Sequence, residues 1–201
     1  EAGDLNRWLD AGYSFILGVD LVKRNIYNPK SGCYARMLKR RSQYIKAMDP
    51  NATNKVYYPD MVFAAGDCAQ PIRTGQAAAV VSDKDSEDIL KVVMNKHSSV
   101  SQHLKYITGK GADGFDAISC MFAIHYFFET EEKLDGFFHN VAHNLKTGGY
   151  FITTFMDGIR VHELLHNSNN KTPGVAEGRK INDMIPINLM QLPRSFLKLL
   201  D

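Results

Sequence analysis

The chain has 201 residues, is 44% hydrophobic and 23% charged, and carries a formal net charge of +2. That length suits one α/β domain or somewhat more, and the charge balance excludes a strong polyelectrolyte while permitting a nucleic-acid partner. No apolar run reaches the roughly 18 residues a membrane span needs, the polar opening "EAGDLNRWLD" is no signal peptide, and three unpatterned cysteines (Cys33, Cys68, Cys120) speak for a reducing compartment.

The predicted elements alternate. "GDLNRWLDAG" (3–12) reads as a short helix with Asp4 at its cap, an apolar face of Leu5, Trp8 and Leu9, and Gly12 as its stop. "YSFILGVD" (13–20) is a buried-strand candidate that ends in an acid. Residues 31–48 have helical spacing with a basic side, and "DMVFAAGD" (60–67) is a second apolar run ending in an acid. Residues 68–114 are mixed. Within them "DKDSEDILKVVMNKH" (83–97) has acids first and Lys and His last, as the helix dipole prefers. "SVSQHLKYI" (99–107) is a second helix candidate and "KGADG" (110–114) a loop. "FDAISCM" (115–121) is a strand. Residues 130–146 form the clearest helix, capped by Thr130, with Leu134, Phe137, Phe138, Val141 and Leu145 on one face and Gly148-Gly149 as its stop. "YFITTF" (150–155) is the next strand and "GIRVHELLHN" (158–167) a helix. Residues 168–201 form a loop and then an apolar stretch broken by prolines.

This alternation predicts an α/β fold with a doubly wound, mostly parallel sheet. A domain of this class opens with a strand, whereas the first element here is a helix after a glycine-containing turn. The expectation is therefore an incomplete domain over 1–167, its opening strand upstream of residue 1, followed by a separate segment over 168–201.

In such sheets ligands bind at the carboxyl ends of the strands. Asp20 ends one strand, where an acid accepts hydrogen bonds from ribose hydroxyls; it is equally a turn acid. Asp67 ends the next, where an acid takes the amino group of an adenine or simply faces solvent. Gly3-Asp4 at a helix start permits close approach of a cofactor. His125-Tyr126 either packs beside a helix or frames a pocket, one ring donating a hydrogen bond and the other stacking on a planar group. "HELLH" (162–166) matches a zinc-hydrolase motif, with His162 and His166 on one helical face, Glu163 as base and Glu177 as a rather close third ligand. Its place after the strands of an α/β sheet favours an ordinary amphipathic helix. His139 and His143 repeat that spacing and read as an exposed helix face. Lys39-Arg40-Arg41 is a solvated run that also suits a phosphate chain.

Taken in order, "GDL" opening a helix, "GVD" ending a strand, "AAGD" and "FDAISCMFAIHYFFETEEKLDGFFHNVAHNLKTGGYFITTFMDG" resemble the mRNA cap guanine-N7 methyltransferases, most like the versions in the multidomain capping enzymes of large DNA viruses. The resemblance covers roughly residues 1–165. The 115–130 block is its specific part, while "LKTGGYFITT" is shared widely among methyltransferases that use S-adenosylmethionine. It implies a class I, Rossmann-like fold and transfer of the sulfonium methyl of S-adenosylmethionine to N7 of the guanine of 5′-capped RNA. It also implies a cytoplasmic or nuclear setting (a viral factory or virion for a viral protein), with other capping domains or an activating subunit as partners.

Carried onto this chain, the resemblance implies Asp20 at the cofactor ribose, Asp67 at its adenine, Gly3 beside its methionine part, and Met121 and Tyr126 also at the cofactor. His125 is implied at the guanine, with Phe122 beside it. Asp4, Arg7 and Arg36 are implied near the rest of the cap. No metal and no general base are implied, because the N7 lone pair attacks without losing a proton. The family's loop reads Lys-Gly-Gly-Asp where this chain has Glu1-Ala2-Gly3-Asp4, and the family usually places a cofactor-contacting Gln where Met121 stands. Those departures imply a weakened cofactor site.

Overall fold

Strand pairing sets where the ligand edge lies. In a computed structural model, which describes residues 3–47, 58–96 and 102–158, β1 (Phe15–Asp20) runs parallel to β2 (Asp60–Ala65), with Phe15 opposite Asp60 and Asp20 opposite Ala65. β3 (Phe115–Met121) runs parallel to β4 (Leu145–Thr154), with Met121 opposite Thr154. Hydrogen bonding thus makes two two-stranded parallel sheets. The rings of Phe15 and Phe115 stack between the two pairs, 6.4 Å apart. The predicted mixed α/β architecture with parallel strands is present, divided into two short sheets.

Six α-helices accompany the strands among the described residues: α1 (Leu5–Asp10), α2 (Lys23–Tyr27), α3 (Cys33–Ala47), α4 (Gln76–Ala79), α5 (Lys84–Met94) and α6 (Glu131–Asn144). β2 is buried on both faces, which explains its unbroken apolar run. Met61, Phe63 and Ala65 face a cluster with Leu5, Ile26 and Cys33 from α1, α2 and α3. Val62 and Ala64 face the other way, toward Val92, Val93 and Leu90 of α5. Burying one such side chain contributes roughly 1.5–3 kcal/mol.

Gly18 makes the first packing possible: a Cβ there would lie 2.6 Å from the Phe63 ring. Tyr34 locks the same ring, crossing it edge-on at 5.3 Å and donating its hydroxyl to the Phe63 carbonyl at 2.7 Å. The second core lies under β3, where Cys120 and Ile124 pack on Phe137, Phe138 and Val141 of α6.

Helix starts follow their capping residues. Asp83 accepts from the Ser86 amide at 2.9 Å, and Thr130 from the Lys133 amide at 3.3 Å. Asp4 holds the N-cap position of α1, its carbonyl accepting from the Trp8 amide at 3.0 Å, but its carboxylate makes no cap bond and pairs with Arg7 at 2.7 Å instead.

Several boundaries differ from the sequence expectation, some by more than a residue or two. β2 stops at Ala65, which leaves Gly66 and Asp67 to start a loop. Only Gln102–Ile107 of the 99–107 candidate is described as helical, and it is a 3-10 turn. α6 ends at Asn144 and β4 begins at once with Leu145. Gly148-Gly149 therefore does not stop the helix. These glycines lie in an irregular stretch of β4, where the register jumps from Phe115 opposite Leu145 to Ala117 opposite Tyr150, and Gly148 takes φ +79°. Leu145 prefers pairing with Phe115 to extending the helix, and the glycines absorb the resulting extra chain.

Glu1 and Ala2, the 162–166 motif, Glu177 and the 168–201 segment lie outside the described residues. Among the described residues, no helix is long and apolar enough to cross a membrane.

Candidate functional site

Asp20 and Asp67 arrive on neighbouring strand ends. The Gly66 amide donates to the Asp20 carbonyl at 2.9 Å, which continues the β1–β2 ladder past Ala65 and delivers Asp67 beside Asp20. The Asp20 carboxylate is held in orientation by the Val22 amide (2.8 Å) and by the Asn25 carboxamide (3.0 and 3.2 Å to its two oxygens). Asp67 donates its amide to the Ala77 carbonyl at 2.8 Å, and one of its carboxylate oxygens accepts from the Ala69 amide at 2.9 Å. Both acids are fixed acceptors, which suits hydroxyl and amino donors.

Cys68 links these acids to the third strand end. Its thiol is pushed up to about 12 by burial, and secondarily by the nearby Cys120, Asp67 and Asp20. Cys120, the penultimate residue of β3, is raised to about 11, chiefly by burial. Three strand ends therefore converge on one thiol.

Beyond β3 the chain turns sharply. Phe122 adopts φ +54°, in the left-handed region that a bulky side chain rarely occupies, and donates its amide to the Thr154 carbonyl at 2.8 Å. A 3-10 turn (Ile124–Glu129) follows and anchors Ile124 in the core. His125 and Tyr126 project from it with ring centroids 4.2 Å apart. Tyr126 is 68% exposed and Phe122 55%, so the aromatics form an open ledge. The Nδ1 atom of His125 is buried and has no hydrogen-bond partner among the described residues. An orphaned buried ring nitrogen is costly unless a ligand completes it. Met121 is half-buried, and its sulfur takes the Thr154 hydroxyl at 3.9 Å.

The remaining expected residues have local partners of their own. Asp4 and Arg7 pair with each other, Gly3 lies in the turn before α1, and the Arg36 Nε donates to the Ser31 carbonyl at 3.0 Å. α1 and α3 both pack on the same face of the β1–β2 pair. His139 and His143 are exposed on α6 with stacked rings 3.8 Å apart.

Sequence reasoning missed Asn25, Gly136 and Asn140. Asn25 lies five residues past Asp20, a distance at which a helical turn returns to the strand end. Asn140 had a readable signal: it sits beside Phe137 and Val141 on the buried side of α6.

Parallel strands, two oriented acids at their carboxyl ends and an exposed aromatic ledge make this a mixed α/β domain with fixed acceptors along one strand-end edge. The model of the mRNA (guanine-N(7))-methyltransferase domain matches residues 1–177, and the chain belongs to that family. The chain is 26% identical over 181 residues to the probable mRNA-capping enzyme of Acanthamoeba polyphaga mimivirus, covering 89% of this chain and 13% of that protein. It is 29% identical over 154 residues to the mRNA cap guanine-N(7) methyltransferase of Lodderomyces elongisporus, covering 77% of this chain and 22% of that protein. Against the mRNA cap guanine-N(7) methyltransferase of Aspergillus niger, identity is 57% over 42 residues, covering 21% of this chain and 7% of that protein. The matched stretches thus span less than a quarter of the length of each of these relatives.

Proposed function

We propose that this chain carries the S-adenosylmethionine-dependent guanine-N7 methyltransferase activity of an mRNA-capping protein. The observation that carries the reading is the placement of Asp20 and Asp67 on adjacent strand ends, joined by the 2.9 Å bond from Gly66 to Asp20. The residues present fit the cofactor: two oriented acceptors suit a ribose diol and an exocyclic amine. When bound, S-adenosylmethionine supplies an electrophilic methyl on a sulfonium.

The chain's own residues then have positional tasks. Asp20 orients the ribose and Asp67 the adenine. Gly3 lets the backbone approach the methionine part, and Met121 packs against the cofactor. His125 meets the cap guanine, and Tyr126 and Phe122 form the apolar ledge at the junction. Asp4, Arg7 and Arg36 serve the remainder of the cap, the two arginines toward its phosphates. Guanine N7 is a neutral nitrogen with an available lone pair, so no residue has to remove a proton. Rate acceleration comes from holding nucleophile, methyl and sulfur in line, and from aromatic contact with the guanine as it becomes cationic.

In the same reading the two strand pairs are halves of one doubly wound, Rossmann-like sheet. The Phe15–Phe115 stack marks β1 and β3 as neighbouring edges, and a further parallel strand between them would join the pairs. Capped RNA is the proposed substrate, and other capping domains or an activating subunit are proposed partners, in the cytoplasm, the nucleus or a viral factory.

One observation favours a second reading, a weakly catalytic binding module. The Met121 sulfur is turned to Thr154 and cannot replace a carboxamide's hydrogen bonds. Titrating both ligands into two variants separates the readings. Asp20→Ala should raise the dissociation constant of S-adenosylmethionine at least tenfold and spare a cap analogue, and His125→Ala should do the reverse. Failure of the unmutated protein to bind the cofactor at millimolar concentration would reject the enzyme reading. Equal losses of both ligands in both variants would reject the residue roles.

A further inference from the structure

The loop that follows β2 is held by α6 at several points, two of them one helical turn apart near Asp67, with Arg73 on the His143 carbonyl further along (2.9 and 3.2 Å). Asn140 is buried, 6% exposed. Its carboxamide nitrogen donates to the carbonyls of Cys68 (2.7 Å) and Gln70 (2.8 Å), and its oxygen accepts from the Ile72 amide (3.0 Å). One side chain therefore satisfies three backbone groups of residues 68–72. Four residues earlier, Gly136 lies against the same loop: a Cβ there would be 2.0 Å from the Ala69 carbonyl oxygen. Helix and loop touch backbone to backbone at that point, with no room for any side chain.

Ala69 is also the residue whose amide orients the Asp67 carboxylate, at 2.9 Å, while the Gln70 amide donates to the Asp67 carbonyl at 2.9 Å. The helix is fixed independently on the β3 side, through Phe137, Phe138 and Val141 packed on Cys120 and Ile124. Ile124 opens the turn that carries His125 and Tyr126. One helix thus registers the acid on the β1–β2 pair against the aromatic ledge on the β3–β4 pair, although no ladder joins the two sheets.

We propose that Asn140 and Gly136 are positioning residues that set the Asp67 carboxylate relative to His125 and Tyr126, and so fix where the cofactor's adenine end lies when its methyl faces the guanine. This rests on the reading that Asp67 holds the cofactor. Asn140→Asp tests it well: size and the acceptor toward Ile72 are kept, but the two donors become an oxygen facing two carbonyls. In the intact protein, Asn140→Asp should raise the cofactor KM and dissociation constant at least tenfold and leave the KM for capped RNA within twofold. Gly136→Ala, which displaces Ala69 without touching a hydrogen bond, should do the same and stands in if Asn140→Asp does not fold.

Leu134→Ala, on the same helix and packed against the β3 core, supplies the control for mere destabilisation. At a comparable fall in Tm it should leave the cofactor KM unchanged. The inference is overturned if Leu134→Ala raises the cofactor KM as much, or if folded Asn140→Asp and Gly136→Ala bind cofactor normally. Asp67→Ala separates the two levels. Normal cofactor binding by that variant removes the underlying reading, whereas weakened binding there with normal binding in the α6 variants removes this inference alone.

Discussion

The Phe122 amide donates to the Thr154 carbonyl at 2.8 Å, and Phe122 itself adopts φ +54°, which redirects the chain that follows. That bond closes the β3–β4 ladder and ejects the chain toward the His125-Tyr126 ledge. A left-handed conformation costs a bulky residue about 1–2 kcal/mol, and its ring is 55% exposed, so packing offsets little of this cost. Phe122→Gly removes the strain and adds the unfolded-state entropy of glycine, about 0.5–1 kcal/mol. The Tm should therefore hold within a few degrees, where a core Phe would lose 3–5 kcal/mol on truncation. Affinity for a cap analogue should fall, read by calorimetry beside a thermal melt. A large drop in Tm would show that the ring is structural.

Gly18 answers the opposite question. Its missing Cβ leaves space that the Phe63 ring occupies, and Tyr34 prevents that ring from moving aside. Gly18→Ala should cost roughly 1–3 kcal/mol by overpacking, a Tm loss of several degrees by differential scanning calorimetry. Gly12, where an added Cβ meets nothing within 4 Å among the described residues but φ is +70°, isolates backbone strain from overpacking as the comparison. Equal effects at both positions would contradict the packing described for β1 and β2.

The cysteines give a pH prediction. Cys68, raised to about 12, and Cys120, raised to about 11, stay protonated in the folded protein at pH 8 and are poor nucleophiles there. Alkylation at pH 8 should label neither until the chain unfolds. Because these folded-state values lie above the unfolded thiol value near 8.5, the stability they contribute is complete below about pH 8.5 and is lost as pH rises toward 11–12. Denaturant midpoints should fall between pH 8.5 and 10, and Cys68→Ala should flatten part of that slope. Rapid labelling of the native protein would place the thiols outside the buried strand ends.

Met121→Gln tests the departure at the end of β3. A carboxamide there supplies a donor and an acceptor that the thioether lacks, worth about 0.5–1.5 kcal/mol for one added hydrogen bond. Cofactor affinity should rise by roughly 2- to 12-fold, read by calorimetry. Unchanged affinity would show that position 121 does not face the cofactor.

Much of this was legible in the chain. β3 runs from Phe115 to Met121 as its period and flanking loop imply, and β2 reads as buried because both of its faces are covered. Asp20 and Asp67 stood out because an acid after an apolar run is conspicuous. What was hidden depends on partners distant in sequence. Nothing near Gly148 reveals that Leu145 prefers pairing with Phe115 to staying helical. Nothing near Gly136 reveals the Ala69 carbonyl against it, and an Asn on the buried side of a helix declares that it has partners without naming Cys68, Gln70 and Ile72. The Phe122 strain is a property of the β3–β4 closure and has no local sequence signature.

The central claim is tested most directly by incubating the intact protein with methyl-labelled S-adenosylmethionine and G-capped RNA, then digesting the product and identifying the labelled nucleoside. The account predicts label in 7-methylguanosine from the cap, dependent on the cap and abolished by His125→Ala. No transfer by the intact protein beside an active control enzyme, or label on any atom other than the cap guanine N7, would contradict it.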